Sequence, residues 1–103
     1  MTPTRPNILF IVLDTLRRDR LGSYGHKLPT SPRLDDFAAQ ATRFDRAVAP
    51  AQWTIPSHTS MFTGVYPGEH HVVQSTSVLS GAYATAAELL QLGGYHTVGF
   101  CNN

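Results

Sequence analysis

Cysteine is almost absent from this chain: Cys101 is the only one in 103 residues. No internal disulfide can form, and one thiol cannot build a zinc site alone. A lone thiol fits a reducing compartment, so a cytoplasmic location is expected. Long hydrophobic runs are also lacking. The apolar stretch over residues 8–13 is too short to span a bilayer. It ends in Asp14 and a basic stretch rather than a small-residue cleavage site, which argues against a signal peptide and leaves no membrane partner. No sign of charge dominates, because 8 Lys and Arg face 7 Asp and Glu for a net charge of +1. A nucleic-acid partner would need a clustered basic surface. Arg17, Arg18 and Arg20, interrupted by Asp19, read as a solvated face or, alternatively, a phosphate-binding patch. No internal repeat or low-complexity tract is present.

What remains is a globular composition, with 42% apolar and 15% charged residues, enough for one small domain. Residues 7–13 read Asn-Ile-Leu-Phe-Ile-Val-Leu, continuous and partly β-branched, as a central parallel strand does. Residues 16–27 are polar, with Gly22 and Gly25, and form a loop. Ser31 stands where an N-cap would, with Pro32 at the first helical position. Leu34, Phe37, Ala38 and Ala41 follow at helical spacing, which predicts a helix over 32–42. A short strand is expected over 44–48. A second helix starts around Pro56 and Ser57 and runs to Thr63, with Gly64 as its stop. Residues 66–80 are a long polar connection of the kind that is exposed or functional. A third helix over 83–92 carries Tyr83, Ala86, Leu89 and Leu90 on its apolar stripe, with Gly93 and Gly94 after it. A last strand is expected over 95–100. Helices alternating with buried strands predict an α/β fold, a mostly parallel sheet flanked by helices. With so few strands the sheet would have open edges, so the chain reads as the beginning of a larger domain.

Two residues stand where chemistry is done in such folds. Asp14 lies at the carboxyl end of the first expected strand, where ligands bind in open α/β sheets, and its carboxylate suits a divalent cation. It serves equally well as a cap for the next turn. Thr54 lies in Trp53-Thr54-Ile55-Pro56-Ser57-His58. Pro56 belongs in a first helical turn, so the Thr54 hydroxyl sits near a helix N-terminus that favours a sulfate or phosphate. It is either an activated nucleophile or simply the N-cap. His58, one turn on, is placed to hydrogen-bond the transferred group or the leaving oxygen, or is a satisfied, partly buried histidine. Of His70 and His71 in the polar connection, adjacent side chains diverge, so one at most faces a site; His70 is the candidate for substrate contact. Cys101 reads as a small core residue.

Taken together, these strings resemble the N-terminal part of the sulfatase family, within the alkaline phosphatase superfamily. The string Pro6-Asn7-Ile8-Leu9-Phe10-Ile11-Val12-Leu13-Asp14 is similar to the family's first strand and first metal carboxylate. Gly22-Ser23-Tyr24-Gly25 and Thr30-Ser31-Pro32-Arg33-Leu34-Asp35 resemble its next loop and helix. Trp53-Thr54-Ile55-Pro56-Ser57-His58, continuing to Thr63-Gly64-Val65-Tyr66-Pro67, resembles its nucleophile segment. The resemblance implies residues 1–103 as the truncated N-terminal portion of one alkaline-phosphatase-like domain. It implies a hydrolase of sulfate or phosphate esters that uses a divalent cation (Ca, Mn, Zn or Mg), with Asp14 and Thr54 in its shell and a small anionic ester as substrate. The chain also departs from the pattern. Sulfatases carry Cys or Ser at position 54, converted to formylglycine, and an arginine where His58 stands. Thr54 cannot become formylglycine; a threonine nucleophile is used in the phosphodiesterase and phosphoethanolamine-transferase branches. Thr15 replaces a second aspartate, and His71 a common glycine. The remaining ligands, an Asp with a His or Asn, are expected beyond residue 103, so the fragment alone is expected to be inactive. The alternative reading is a non-catalytic relative that binds an anion or a partner.

Overall fold

The computed structural model describes residues 5–102. They contain four α-helices: α1 (Pro32–Ala38), α2 (Thr54–Thr63), α3 (Pro67–His70) and α4 (Ala86–Leu92). Two 3-10 turns, Arg18–Arg20 and Gly22–Tyr24, precede α1. The chain divides into two compact units, Met1–Asp45 and Arg46–Asn103.

The expected parallel sheet is not there. Among the described residues none is in a strand, and 7–13, 44–48 and 95–100 are all irregular. An apolar run becomes a strand only when a neighbour completes a hydrogen-bond ladder, and composition cannot supply that neighbour. The side chains show the same thing. Leu9 is 84% exposed, Val48 89% and Phe100 96%, where burial on both faces was expected. The helices lose the surface they were patterned to cover, and Phe37 and Leu89 on their apolar stripes stand exposed. The expectation of an α/β fold with a mostly parallel sheet is therefore corrected to four short helices joined by irregular chain.

The first unit is organised around the Asp35 carboxylate. Ser31 stands at the N-cap position of α1 but does not cap the backbone. Its Oγ donates to the carboxylate at 3.0–3.1 Å and accepts from the Gly22 amide at 3.0 Å. The Ser23 amide donates to the same carboxylate at 2.6 Å. These bonds tie the second 3-10 turn to the start of α1. Gly25 ends that turn in the left-handed region at φ 93°, which a side chain would strain. Tyr24 is flanked by two guanidinium groups, Arg18 at 5.3 Å and Arg43 at 5.1 Å from its ring centre, within cation–π range. Its hydroxyl donates to the Phe44 carbonyl at 2.9 Å. Arg43 also donates to the Ser23 carbonyl and pairs with Asp45.

In the second unit, Gly64 closes α2 at φ 75°, with its amide on the Ser60 carbonyl at 2.8 Å. That is the expected stop. The 66–80 connection is not wholly irregular, since its first residues form α3. The helix expected over 83–92 starts three residues later, at Ala86. Its start is set by a capping box: the Glu88 amide donates to Thr85 Oγ1 at 3.3 Å, and the Thr85 amide donates to the Glu88 carboxylate at 2.7 Å. Tyr83 stays outside the helix and donates its hydroxyl to the Glu69 carbonyl at 2.8 Å.

A Cβ added at Gly22 would overlap the Asp35 carboxylate. That carboxylate is held by two side-chain and main-chain donors and cannot swing away freely. Gly22→Ala is expected to destabilise the first unit by about 1–3 kcal/mol, read as a lower urea midpoint. At α4, hydrogen bonds from the Thr85 amide and then the Thr85 hydroxyl lower the Glu88 pKa from its ordinary 4.5. A depressed carboxylate contributes stability above its unfolded pKa and loses it as pH falls through the folded one. The protection of α4 amides, taken relative to their intrinsic exchange rate at each pH, is therefore expected to fall as pH drops below 4.5, and to show no such step in Glu88→Gln.

Candidate active site

α2 begins at Thr54 itself. Trp53 occupies the cap position in extended backbone, at φ −142° and ψ 168°, and offers no side-chain cap. Thr54 is thus the first helical residue rather than the N-cap, and its half-buried hydroxyl stands at the positive end of a ten-residue helix. Pro56 is the third residue of the helix and is fully buried. Its fixed φ suits the first turn, where its missing N–H breaks no intrahelical bond. His58 lies one turn beyond Thr54 on the same side of α2 and is half-buried.

The opposite side of α2 explains why the helix stands where it does. Pro56, Ser57 and Ser60 are its buried residues, on one face at helical spacing. That face is small and mostly polar, and α2 packs against α3 and α4. His70, only 4% exposed, reaches it from the end of α3. Its Nε2 lies 3.0 Å from Ser60 Oγ, and its Nδ1 accepts from the Val72 amide at 2.9 Å. Both ring nitrogens are engaged inside the unit. Ser60 drew no notice as a sequence feature. The signal was present, however: two serines three apart behind a proline leave a helix face with little apolar area to bury. His71, next in the chain, is exposed and left-handed at φ 57°, and it caps α3 through its amide on the Pro67 carbonyl. A glycine is the natural residue for that backbone.

Asp14 belongs to the first unit and is exposed. The residue after it, Thr15, has φ 59°. A β-branched residue there is a true outlier, since only Gly, Asn and Asp enter this region readily. The strain sits beside the carboxylate that the sequence marks for a metal. Asp14 is a hard oxygen donor of the kind divalent cations take. Such an ion needs several donors, and among the described residues no three His, Cys, Asp or Glu side chains gather. The donor set present accounts for one ligand and not for a shell. Cys101 is exposed rather than a core residue. Among the described residues no helix is long and apolar enough to cross a membrane.

The Sulfatase family model matches residues 6–103. The chain belongs to the sulfatase family. The likeness to its relatives runs along nearly the whole of this chain. It is 39% identical over 98 residues to bovine (Bos taurus) arylsulfatase A, covering 89% of this chain and 19% of that protein. It is 36% identical over 95 residues to iduronate 2-sulfatase of Mus musculus, covering 89% and 17%. An N-acetylglucosamine-6-O-sulfatase of Bacteroides thetaiotaomicron is 32% identical over 93 residues, covering 90% and 17%. The chain spans about a fifth of the length of these relatives. No solved structure is a significant match.

The strain at position 15 gives a direct test. Thr15→Gly relieves the left-handed backbone and is expected to raise stability by about 1 kcal/mol. Thermal denaturation of wild type and variant measures it.

Proposed function

We propose that the full-length protein is a hydrolase of sulfate or phosphate esters with Thr54 as its nucleophile. The observation that carries this reading is the position of Thr54 as the first residue of α2, at the positive helix end, in a chain of the sulfatase family. In this reading the Thr54 oxygen attacks the sulfur or phosphorus of the ester. The bond to the leaving oxygen breaks, the alcohol departs with a proton, and water later releases the group from threonine. The N-terminal amides and dipole of α2 favour the charge on the transferred group. His58, one turn along, is assigned to the leaving oxygen or the transferred group.

Asp14 is assigned as one carboxylate ligand of a divalent cation; such an ion would supply positive charge near the ester oxygens. Formylglycine has no part in this chemistry, because threonine lacks the precursor side chain. The substrate is a small anionic ester. The relatives named arylsulfatase A and iduronate 2-sulfatase support the sulfate side of this range. Thr54 itself supports the phosphate side.

The test is an assay of the full-length protein on aryl sulfate, phosphate monoester, phosphodiester and phosphonate ester, each with added divalent metals. Thr54→Ala is expected to lower kcat at least about a hundredfold on the ester that is turned over. Retained turnover in the variant would remove Thr54 from the nucleophile role. Absence of turnover on every ester, with binding of inorganic sulfate or phosphate preserved, would favour the non-catalytic anion-binding alternative.

A further inference from the structure

His70 is buried, and one of its two contacts fixes its chemistry. A backbone amide can only donate, so the Val72 N–H at 2.9 Å makes Nδ1 an acceptor without a proton. The ring proton is then on Nε2, and it points at Ser60 Oγ, 3.0 Å away. Ser60 is therefore the acceptor in that bond. It sits on the buried face of α2, six residues after Thr54. At about 100° per residue, Ser60 and Thr54 lie roughly 120° apart around the helix axis. A bond that fixes the angle of Ser60 therefore fixes the angle of Thr54.

Apolar packing on this face is limited, with Pro56 as its one buried apolar side chain. Its buried side chains are Pro56, Ser57 and Ser60, and Val72 is the buried apolar residue beside His70 in the chain. A face of this kind gives a helix few shape constraints against rotation, whereas a directional hydrogen bond to a locked ring gives one. The lock is also local in origin. His70 closes α3, His71 turns the chain in left-handed backbone, and Val72 returns its amide to the ring two residues on.

We infer that His70 is a positioning residue: held as the Nε2–H tautomer by Val72, it fixes the rotation of α2 through Ser60 and so aims the Thr54 hydroxyl. This takes the place of the substrate contact suggested by its sequence position. It rests on the reading of Thr54 as nucleophile, while the tautomer and the Ser60 bond do not.

Two measurements on the full-length protein separate these parts. Ring nitrogen NMR on histidine-labelled protein, assigned with His70→Gln, is expected to show a protonated Nε2 and a bare Nδ1 at His70. A proton on Nδ1 overturns the lock, whether or not any ester is hydrolysed. Next come Ser60→Ala and Ser60→Thr, assayed with 4-nitrophenyl sulfate and 4-nitrophenyl phosphate per folded molecule. The alanine variant is expected to lose about tenfold in kcat with KM little changed, as for a misaimed reacting group, and the threonine variant to recover most of it. A lower melting temperature with unchanged kcat means that the bond only stabilises, and overturns the positioning role. If the wild type turns over no sulfate, phosphate monoester, phosphodiester or phosphonate ester, the nucleophile reading and the aiming role that rests on it both fail, and the ring spectrum alone decides the lock.

Discussion

An imidazole with both nitrogens engaged has one orientation and one tautomer. In the second unit that ring belongs to His70, and much of the unit is arranged about it. It accepts from the chain just after it and reaches Ser60 on the inner face of α2. The end of α3, the turn at His71 and the face of α2 are thereby fixed against one another. A hydrogen bond contributes only about 1 kcal/mol net. A buried one whose partner is removed costs more, because the remaining donor or acceptor is left in a dry place. Its value lies in direction as much as in strength. That suits a helix whose first residue has a hydroxyl to aim.

The first unit follows the same principle with a carboxylate in place of the ring. Asp35 gathers Ser31 and the Ser23 amide, and Gly22, having no Cβ, leaves the carboxylate its room. In both units the order comes from short-range polar contacts and helix ends, not from a shared apolar interior. Val72 is the buried hydrophobic residue among those described. The capping box at Thr85 and Glu88 and the left-handed stop at Gly64 belong to the same local vocabulary. Neither the capping box nor the stop needs a distant segment to form.

That division also explains what the sequence made legible. Helix ends were readable, because caps and stops are written in a few adjacent residues: Pro32 begins α1 and Gly64 ends α2 as expected. The start of α4 was placed too early because Tyr83 fits the apolar stripe, while the capping box that sets the true start lies at Thr85 and Glu88. Strands were not readable in this way. Residues 7–13 have the composition of one, but a ladder is a property of two segments. The candidate site was half legible. The position of Thr54 followed from Pro56, and the family followed from the ordered motifs. The tie from His70 to Ser60 did not, because ten residues separate them and nothing in a linear string shows that α3 folds back on α2.

Residues 8–13 have a practical side. Ile8, Leu9, Phe10, Ile11 and Leu13 are each more than half exposed, in a stretch rich in β-branched and aromatic side chains. Such a segment is a template for aggregation between copies and a target for chaperones that hold unfolded chain. Asp14 and the arginines beyond it are gatekeepers at one end, and Arg5 and Pro6 at the other. Handled as an isolated polypeptide, this chain would be limited by solubility before chemistry, and a solubilising fusion or low protein concentration would decide what can be measured on it.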